Sequence, residues 1–439
     1  AAGTRAVSPQ RAAALALGVA LGWAGAGSAA AQPARQQLPG GLTVLVRENT
    51  ATAVTAASLF VRMGSRWETE DDAGISHLLQ QVLLKGTEKR SALEIAETAE
   101  NLGGGIGASA GLDYSEIGAT ALARNWRTML ELIADVALRP TLPTAEIDGE
   151  RRATLTALRS RQDQPSSLAM DTLMSRVYGD HPYGRPALGR PAALERIDRA
   201  RLLAHHQRFY RAPRMILAMS GDVDTRLVMA EVARLFADAP TGPAEAESTL
   251  PTAAARADRT VIVRSAAQAQ VLAGFLAPPT SHADYAAVKV LATALGGGMA
   301  GRLFTEVRDK QGLAYFTGSA YASREGPGVL FTQLGTAPAN QARAEAAMLG
   351  ELERIRREPV SPAELARAKG YELGRFGLDR RTNARLSWYD AFFEALGVGP
   401  GFAERYVRAV EAVTVEDVQR VARAYLSAPT VVTLGPAAQ

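Results

Sequence analysis

Three polar residues stand at helical spacing within residues 74–87, which read Gly-Ile-Ser-His-Leu-Leu-Gln-Gln-Val-Leu-Leu-Lys-Gly-Thr. His77, Gln80 and Gln81 follow the pattern i, i+3, i+4, so at about 100° per residue they share one side of a helix. An imidazole is a good zinc ligand, but glutamine cannot ionise, so it cannot take a proton from a metal-bound water, and its amide is a poor ligand. The apolar residues recur on the opposite side of this amphipathic helix: Ile75, Leu78, Leu79, Val82 and Leu83.

This segment resembles the zinc helix of the pitrilysin/insulinase (inverzincin) metallopeptidases and of the mitochondrial processing peptidase, whose motif is H-x-x-E-H. By that resemblance His77 stands in the first ligand slot, Gln80 in the slot of the general base, and Gln81 in that of the second ligand. The family's third ligand is the second glutamate of E-x₆-E on a later helix. Glu150 matches the first glutamate, but Ala157 stands at the ligand position. The resemblance therefore implies no catalytic group and no metal in this chain, and His77 is alternatively an ordinary histidine on a polar helix face.

Residues 296–315 resemble the signature of the second domain in the same family, including an arginine and a tyrosine separated by six residues, Arg308 and Tyr315. In the family these two side chains project into the cleft and hydrogen-bond the substrate backbone near the scissile bond. A guanidinium and a phenol are donors that can hold a carbonyl oxygen. We expect Arg308 to close a helix and Tyr315 to start the next strand. The alternative is a surface arginine followed by a half-buried strand tyrosine.

The two halves of the chain are predicted to be repeats, because residues 197–213 align without a gap on residues 413–429. Runs of strands followed by runs of helices favour an α+β fold over a parallel βαβ sheet. The resemblance implies two tandem homologous domains, each a mostly antiparallel sheet covered by helices, as in a metallopeptidase half-clamshell. It also implies that the strand pair within residues 103–122 presents an edge to an extended peptide, although glycines there are equally usual in turns.

The N-terminus predicts export. Arg5 and Arg11 precede an apolar run and then small residues that fit a cleavage site, as in a secretory signal peptide. A mitochondrial transit peptide is the alternative, since no acidic residue precedes Glu48, but the run is uniformly apolar rather than amphipathic. It is also too rich in alanine and glycine for a stable membrane span. The predicted organisation is a signal peptide at 1–31, an N-terminal peptidase-like domain at 32–238, a linker at 239–258 and a C-terminal peptidase-like domain at 259–439.

The composition argues against two classes of function. A net charge of +4 over 439 residues, without lysine or arginine runs, argues against nucleic acid, and the lack of cysteine excludes disulfides and thiolate chemistry. The family resemblance, together with the predicted signal peptide, implies a periplasmic, non-catalytic subunit that grips unfolded peptides, while a homologous partner supplies zinc and the general base. The alternative is a scaffold or peptide-binding protein of the same fold with no role in proteolysis.

Overall fold

The computed structural model describes residues 32–242 and 250–437. The predicted signal peptide at 1–31 lies outside the described residues, as do residues 243–249 of the predicted linker and the last two residues of the chain. The described residues from Pro33 onward form one compact unit. None of the described helices combines the length and the apolar composition that crossing a bilayer requires.

Two sheets organise this unit. The first has the strand order β1-β2-β6-β3-β5-β4, and the second has the order β7-β11-β8-β10-β9. The strands of the first sheet are β1 (Ala34–Gln37), β2 (Thr43–Glu48), β3 (Val54–Val61), β4 (Gly105–Ala110), β5 (Ser115–Leu122) and β6 (Met215–Gly221). Those of the second are β7 (Asp258–Val263), β8 (Ala269–Ala277), β9 (Phe316–Tyr321), β10 (Gly328–Thr336) and β11 (Thr430–Gly435).

Apart from the short extra strand β1, the two sheets share one topology. In each, the last strand in sequence (β6 or β11) inserts parallel to the first (β2 or β7) and antiparallel to the second (β3 or β8). The remaining pairs are antiparallel in both sheets. The repeat predicted from residues 197–213 and 413–429 ends each half in this same helix-then-strand arrangement. The α+β fold with two homologous, mostly antiparallel sheets is thus confirmed, and the domain boundaries stay a prediction.

Fourteen α-helices of the described residues surround the sheets. In the first half they are α1 (Ile75–Leu83), α2 (Ala92–Asn101), α3 (Trp126–Leu138), α4 (Thr144–Asp163), α5 (Pro165–Tyr178), α6 (Pro191–Leu194), α7 (Arg199–Phe209) and α8 (Thr225–Leu235). In the second half they are α9 (Tyr285–Gly296), α10 (Gln341–Arg357), α11 (Pro362–Asp379), α12 (Asn383–Ala395), α13 (Phe402–Ala412) and α14 (Val415–Tyr425). The Ser-x-x-Glu patterns at residues 91–94 and 361–364 predict capping boxes, and both are formed, at Ser91 before α2 and at Ser361 before α11.

One helix from each half of the chain packs against the sheet of the other half. On the face opposite α1, α3, α7 and α8, the first sheet packs its apolar side chains against α12 of the second half. The second sheet packs against α5 of the first half in the same way. A Cβ on Gly274 of β8 would lie 2.9 Å from a methyl of Val177 on α5, so only glycine allows this close approach. A buried, bidentate ion pair holds α12 against the first sheet: Arg47 of β2 donates to Asp390 of α12 at 2.8 and 2.9 Å.

Candidate functional site

Helix α1 forms where the apolar periodicity predicts it. All five residues of its apolar stripe are buried. The helix begins after Gly74, whose φ of 102° lies in the left-handed region that favours glycine. The buried carboxylate of Glu68 accepts hydrogen bonds from the backbone N–H groups of Gly74 and Ser76 at 2.8 and 2.9 Å, and burial raises the pKa of this carboxyl. Glu68 thereby satisfies two of the amides that a helix N-terminus leaves unpaired.

Gln80, in the slot of the general base, is not on a solvated polar face. Its side chain is fully buried, and its Nε2 donates to the hydroxyl of Tyr210 at 2.6 Å. Its Oε1 finds no hydrogen-bond partner among the described residues. The phenol of Tyr210 is itself buried, which raises its pKa. The position that would hold a proton-accepting carboxylate therefore holds a neutral amide in a closed environment.

Two other positions of the degenerate motif, His77 on α1 and Glu150 on α4, lie near each other. His77 is half-buried, and burial lowers the pKa of its imidazole, an effect that the nearby charge of Glu150 opposes. Glu150 forms an ion pair with Lys85 at 2.9 Å, so its carboxylate already has a cation beside it. Seven residues further along α4, Ala157 is exposed and carries no donor atom.

The donor set does not fit zinc. A protein zinc site needs three or four imidazole, thiolate or carboxylate ligands, whereas the three ligand slots hold His77, Gln81 and Ala157. In the part of the chain that the structure describes, no group of three or more histidine and acidic side chains is placed to hold a metal ion. Helix α1 therefore has the form of the family's zinc helix, but it carries one imidazole and lacks the other ligands of a zinc site.

Arg308 and Tyr315 lie on one exposed segment of the second half. The helix that Arg308 was expected to close is a π-helix, Leu303–Asp309, as the hydrogen bond from Lys310 N to Thr305 O at 3.1 Å illustrates. π-helical turns are frequent at functional sites. Arg308 is exposed near the end of this helix, with its guanidinium 4.7 Å from the centre of the Phe304 ring. Tyr315 is 55% exposed. It is therefore more exposed than the half-buried strand tyrosine that the alternative, non-functional interpretation expects.

The segment after the π-helix leads directly into a sheet edge. The backbone N–H of Tyr315 donates to Gly335 O at 2.8 Å, so this residue already follows the ladder although strand β9 is assigned from Phe316. Strand β4 is the corresponding edge of the first sheet and pairs with β5 alone, as the antiparallel pair predicted within residues 103–122 requires. A Cβ added to Gly105 or Gly107 would meet no atom within 4 Å, so the sheet faces are uncovered at these two positions.

No sequence motif singles out Lys289. Lys289 stands in the otherwise apolar helix α9 and lines a cavity walled by aromatic side chains. The sequence could have drawn attention to Lys289, because it is a single lysine among apolar helix positions and lysine is seldom buried without a specific contact. The pairing of Gln80 with Tyr210 carried no comparable signal, since the two residues are 130 positions apart.

Comparisons with known proteins agree with this geometry. Residues 43–190 match the model of the insulinase family (peptidase family M16), and residues 196–371 match that of the peptidase M16 inactive domain. An uncharacterised zinc protease of Mycobacterium tuberculosis is 32% identical over 408 residues, covering 91% of this chain and 92% of that protein. A peptidase M16 inactive domain from Pseudomonas fluorescens has a TM-score of 0.87 at 25% identity, covering 92% of this chain and 98% of its own. A protease from Helicobacter pylori shares the fold, with a TM-score of 0.84 at 23% identity and coverage of 92% and 99%.

The repeated fold and the incomplete zinc helix define a protease-like protein of the inactive type. The chain belongs to the insulinase family, peptidase family M16. The family resemblance seen at residues 74–87 and 296–315 is confirmed.

Proposed function

We propose that this chain is the non-catalytic, substrate-binding subunit of a heterodimeric zinc metalloendopeptidase. A homologous sister subunit would supply the zinc and the general base, and this chain would hold an extended peptide. The main support for the proposal is a contrast between the two halves of the chain. In the first half, Gln80 of the zinc helix is buried against Tyr210, whereas in the second half Arg308 and Tyr315 are exposed. The relatives named as zinc proteases support a partner of the same family.

The chemistry of Arg308 and Tyr315 suits a peptide clamp. Both side chains end in hydrogen-bond donors, and a substrate carbonyl needs donors rather than acceptors. The Phe304 ring beside the Arg308 guanidinium restricts its orientation, which lowers the entropy lost when the guanidinium binds a carbonyl. No ionised group of this chain needs to act as an acid or base, because its contribution is to position the peptide.

The open edge of β4 offers a second element of the clamp. An extended peptide that adds a strand to a sheet edge is held by main-chain hydrogen bonds, which makes few demands on sequence. β4 pairs with β5 alone, so its outer edge can take another strand, and Gly105 and Gly107 leave space on the sheet faces for the side chains of a bound peptide. We further propose that the subunit acts in the periplasm, as the signal-peptide features of residues 1–31 suggest.

Co-expression with an H-x-x-E-H homologue from the same organism tests this function. We expect the purified complex to cleave an unfolded, fluorescence-quenched peptide in a chelator-sensitive manner, whereas neither chain cleaves it alone. Arg308→Ala and Tyr315→Phe should each lower kcat/KM about 10- to 100-fold, the loss of a hydrogen bond to a charged or well-oriented group. Arg343→Ala and Tyr371→Phe alter exposed side chains of the same types on α10 and α11 and serve as matched controls.

Three results would count against the proposal. If Arg308→Ala and Tyr315→Phe leave cleavage intact in an active complex, the clamp is wrong. If the complex forms without any peptide cleavage, the scaffold alternative is favoured. Cleavage by the isolated chain after chelator treatment would instead indicate an independent hydrolase.

A further inference from the structure

A cavity of about 350 Å³ lies in the second half, bounded by α9, α11, α12, α13 and β9 and by Tyr114, which precedes β5. Half of its lining residues are aromatic. The side chains that enclose it include Tyr114, Tyr285, Trp388, Tyr389, Phe392 and Tyr406. This volume falls in the range of small-molecule sites, which are mostly apolar with a few polar groups that fix the ligand.

Three cationic side chains line the same cavity: Lys289, Arg324 and Arg375. None of them forms a close ion pair with a carboxylate of the described residues, although the charge of Glu372 acts on Lys289 and that of Arg375 acts on Asp379. The ammonium of Lys289 donates to the backbone carbonyl of Tyr321 at 2.9 Å and lies 5.4 and 5.2 Å from the ring centres of Tyr285 and Tyr321. A backbone carbonyl and two aromatic faces stabilise a cation without neutralising it.

The two acidic residues of the lining are already occupied. Glu372 accepts hydrogen bonds from the hydroxyls of Tyr406 and Thr293 at 2.6 and 3.0 Å. Asp379 pairs with Arg385 at 2.7 Å and accepts from the hydroxyl of Tyr389. Hydroxyl donors leave the negative charge of Glu372 in place, so the lining has three cations against two carboxylates. One of these carboxylates, Asp379, is paired with Arg385, which is not part of the lining.

The ionisation of Lys289 is set mainly by its burial. Burial lowers the pKa of its ammonium to about 8, and the charges of Arg375 and Arg324 act in the same direction, against the charge of Glu372. An anion bound in the cavity would favour the charged form and raise this pKa.

We propose that this cavity binds a small aromatic carboxylate, with its ring between the aromatic side chains and its carboxylate paired with Lys289. Rings stack or meet edge to face favourably in such surroundings, and a charge-assisted hydrogen bond to a carboxylate is stronger than the one that the ammonium makes to a neutral carbonyl. The site is separate from Arg308 and Tyr315, neither of which lines it. It does not depend on the proposed proteolytic function.

The lysine content of the chain makes the proposal measurable. Only five of its 49 basic residues are lysine: Lys85, Lys89, Lys289, Lys310 and Lys369. Trace acetylation across a pH series, read by mass spectrometry of the peptides, gives the pKa of each amine, and the other four lysines serve as internal controls. Phenylacetate, at up to about 10 mM to allow for a Kd near 1 mM, should raise the pKa of Lys289 by about one unit and protect it. Phenylacetamide, its neutral counterpart, should do neither.

Variants separate binding from a structural role of Lys289. Lys289→Met should weaken phenylacetate binding at least tenfold by calorimetry and remove the preference over the amide. Arg375→Gln alters an exposed residue at the cavity and should weaken binding about threefold without disturbing the fold. Lys89→Met is the matched control, with unchanged binding.

The proposal is overturned if phenylacetamide protects Lys289 as well as phenylacetate does, or if neither compound changes its acetylation. Should Lys289→Met fail to fold, the labelling series and Arg375→Gln still decide between these results. N-acetylphenylalanine distinguishes two sources of an aromatic carboxylate, the C-terminus of a peptide chain and a free acid. Tighter binding than phenylacetate would indicate the end of a peptide chain as the natural ligand, and weaker binding would indicate a free acid.

Discussion

Restoring the family carboxylate at position 80 is predicted to destabilise this protein. Gln80→Glu replaces one amide nitrogen by oxygen at a site with no exposed surface, where the polar contact is the hydroxyl of Tyr210. The imidazole of His206 stacks on the Tyr210 ring at 4.4 Å, but burial lowers its pKa, so it supplies no cation at neutral pH. A glutamate here must therefore stay protonated in the folded state, or else be buried as an unpaired charge.

The magnitude follows from the pKa of the unfolded chain. A glutamate of the unfolded chain titrates near 4.3, and each pH unit above this value costs about 1.4 kcal/mol if the folded state keeps the proton. The folded pKa is raised, so the unfolded state binds fewer protons and stability falls as the pH rises above about 4.3. We therefore predict a loss of about 3.5–4 kcal/mol at pH 7 and of about 1 kcal/mol at pH 5.

Urea unfolding at pH 5 and pH 7 measures this difference directly. Gln80→Met removes the hydrogen bond without adding a titratable group, and its cost of about 1–2 kcal/mol should not depend on pH. Gln207→Glu adds the same charge at an exposed position of α7 and should change stability by less than about 0.5 kcal/mol. An equal loss for Gln80→Glu at both pH values would refute the reasoning, and so would stoichiometric zinc that restores its stability at pH 7.

Two further predictions concern stability, measured by urea unfolding. Arg47→Met should cost about 3–5 kcal/mol, because it leaves Asp390 buried without its bidentate partner, and Arg47→Met with Asp390→Leu should recover most of this loss. A loss below about 1 kcal/mol for the single change would contradict it. Ser361→Ala should cost about 1 kcal/mol by removing the capping box of α11, whereas the exposed Ser281→Ala should have no measurable effect. Equal losses for the two serine changes would contradict the capping argument.

Local signals in the sequence predicted much of the fold. The apolar stripe of α1, the capping boxes at Ser91 and Ser361 and the strand pair β4–β5 depend on residues close together in the chain, and the structure confirms them. The repeat in residues 197–213 and 413–429 anticipated the shared topology of the two sheets, because it covers the helix that leads directly into the last strand of each half.

Tertiary contacts decide what the sequence could not predict. Periodicity placed Gln80 opposite the apolar stripe, but the side chain of Tyr210 covers that position, and no local pattern encodes a contact over 130 residues. The exchange of α5 and α12 between the two sheets is equally non-local. The cavity around Lys289 combines side chains from both halves, so the sequence shows an unusual lysine without its surroundings.

The zinc content of the isolated chain tests the central claim most directly. After purification and dialysis against zinc, elemental analysis should find less than about 0.1 zinc per chain, because His77 is the only ligand left of three. His77→Ala should leave that value unchanged. One tightly held zinc per chain, lost in His77→Ala, would contradict the account of a subunit that depends on a partner for its metal.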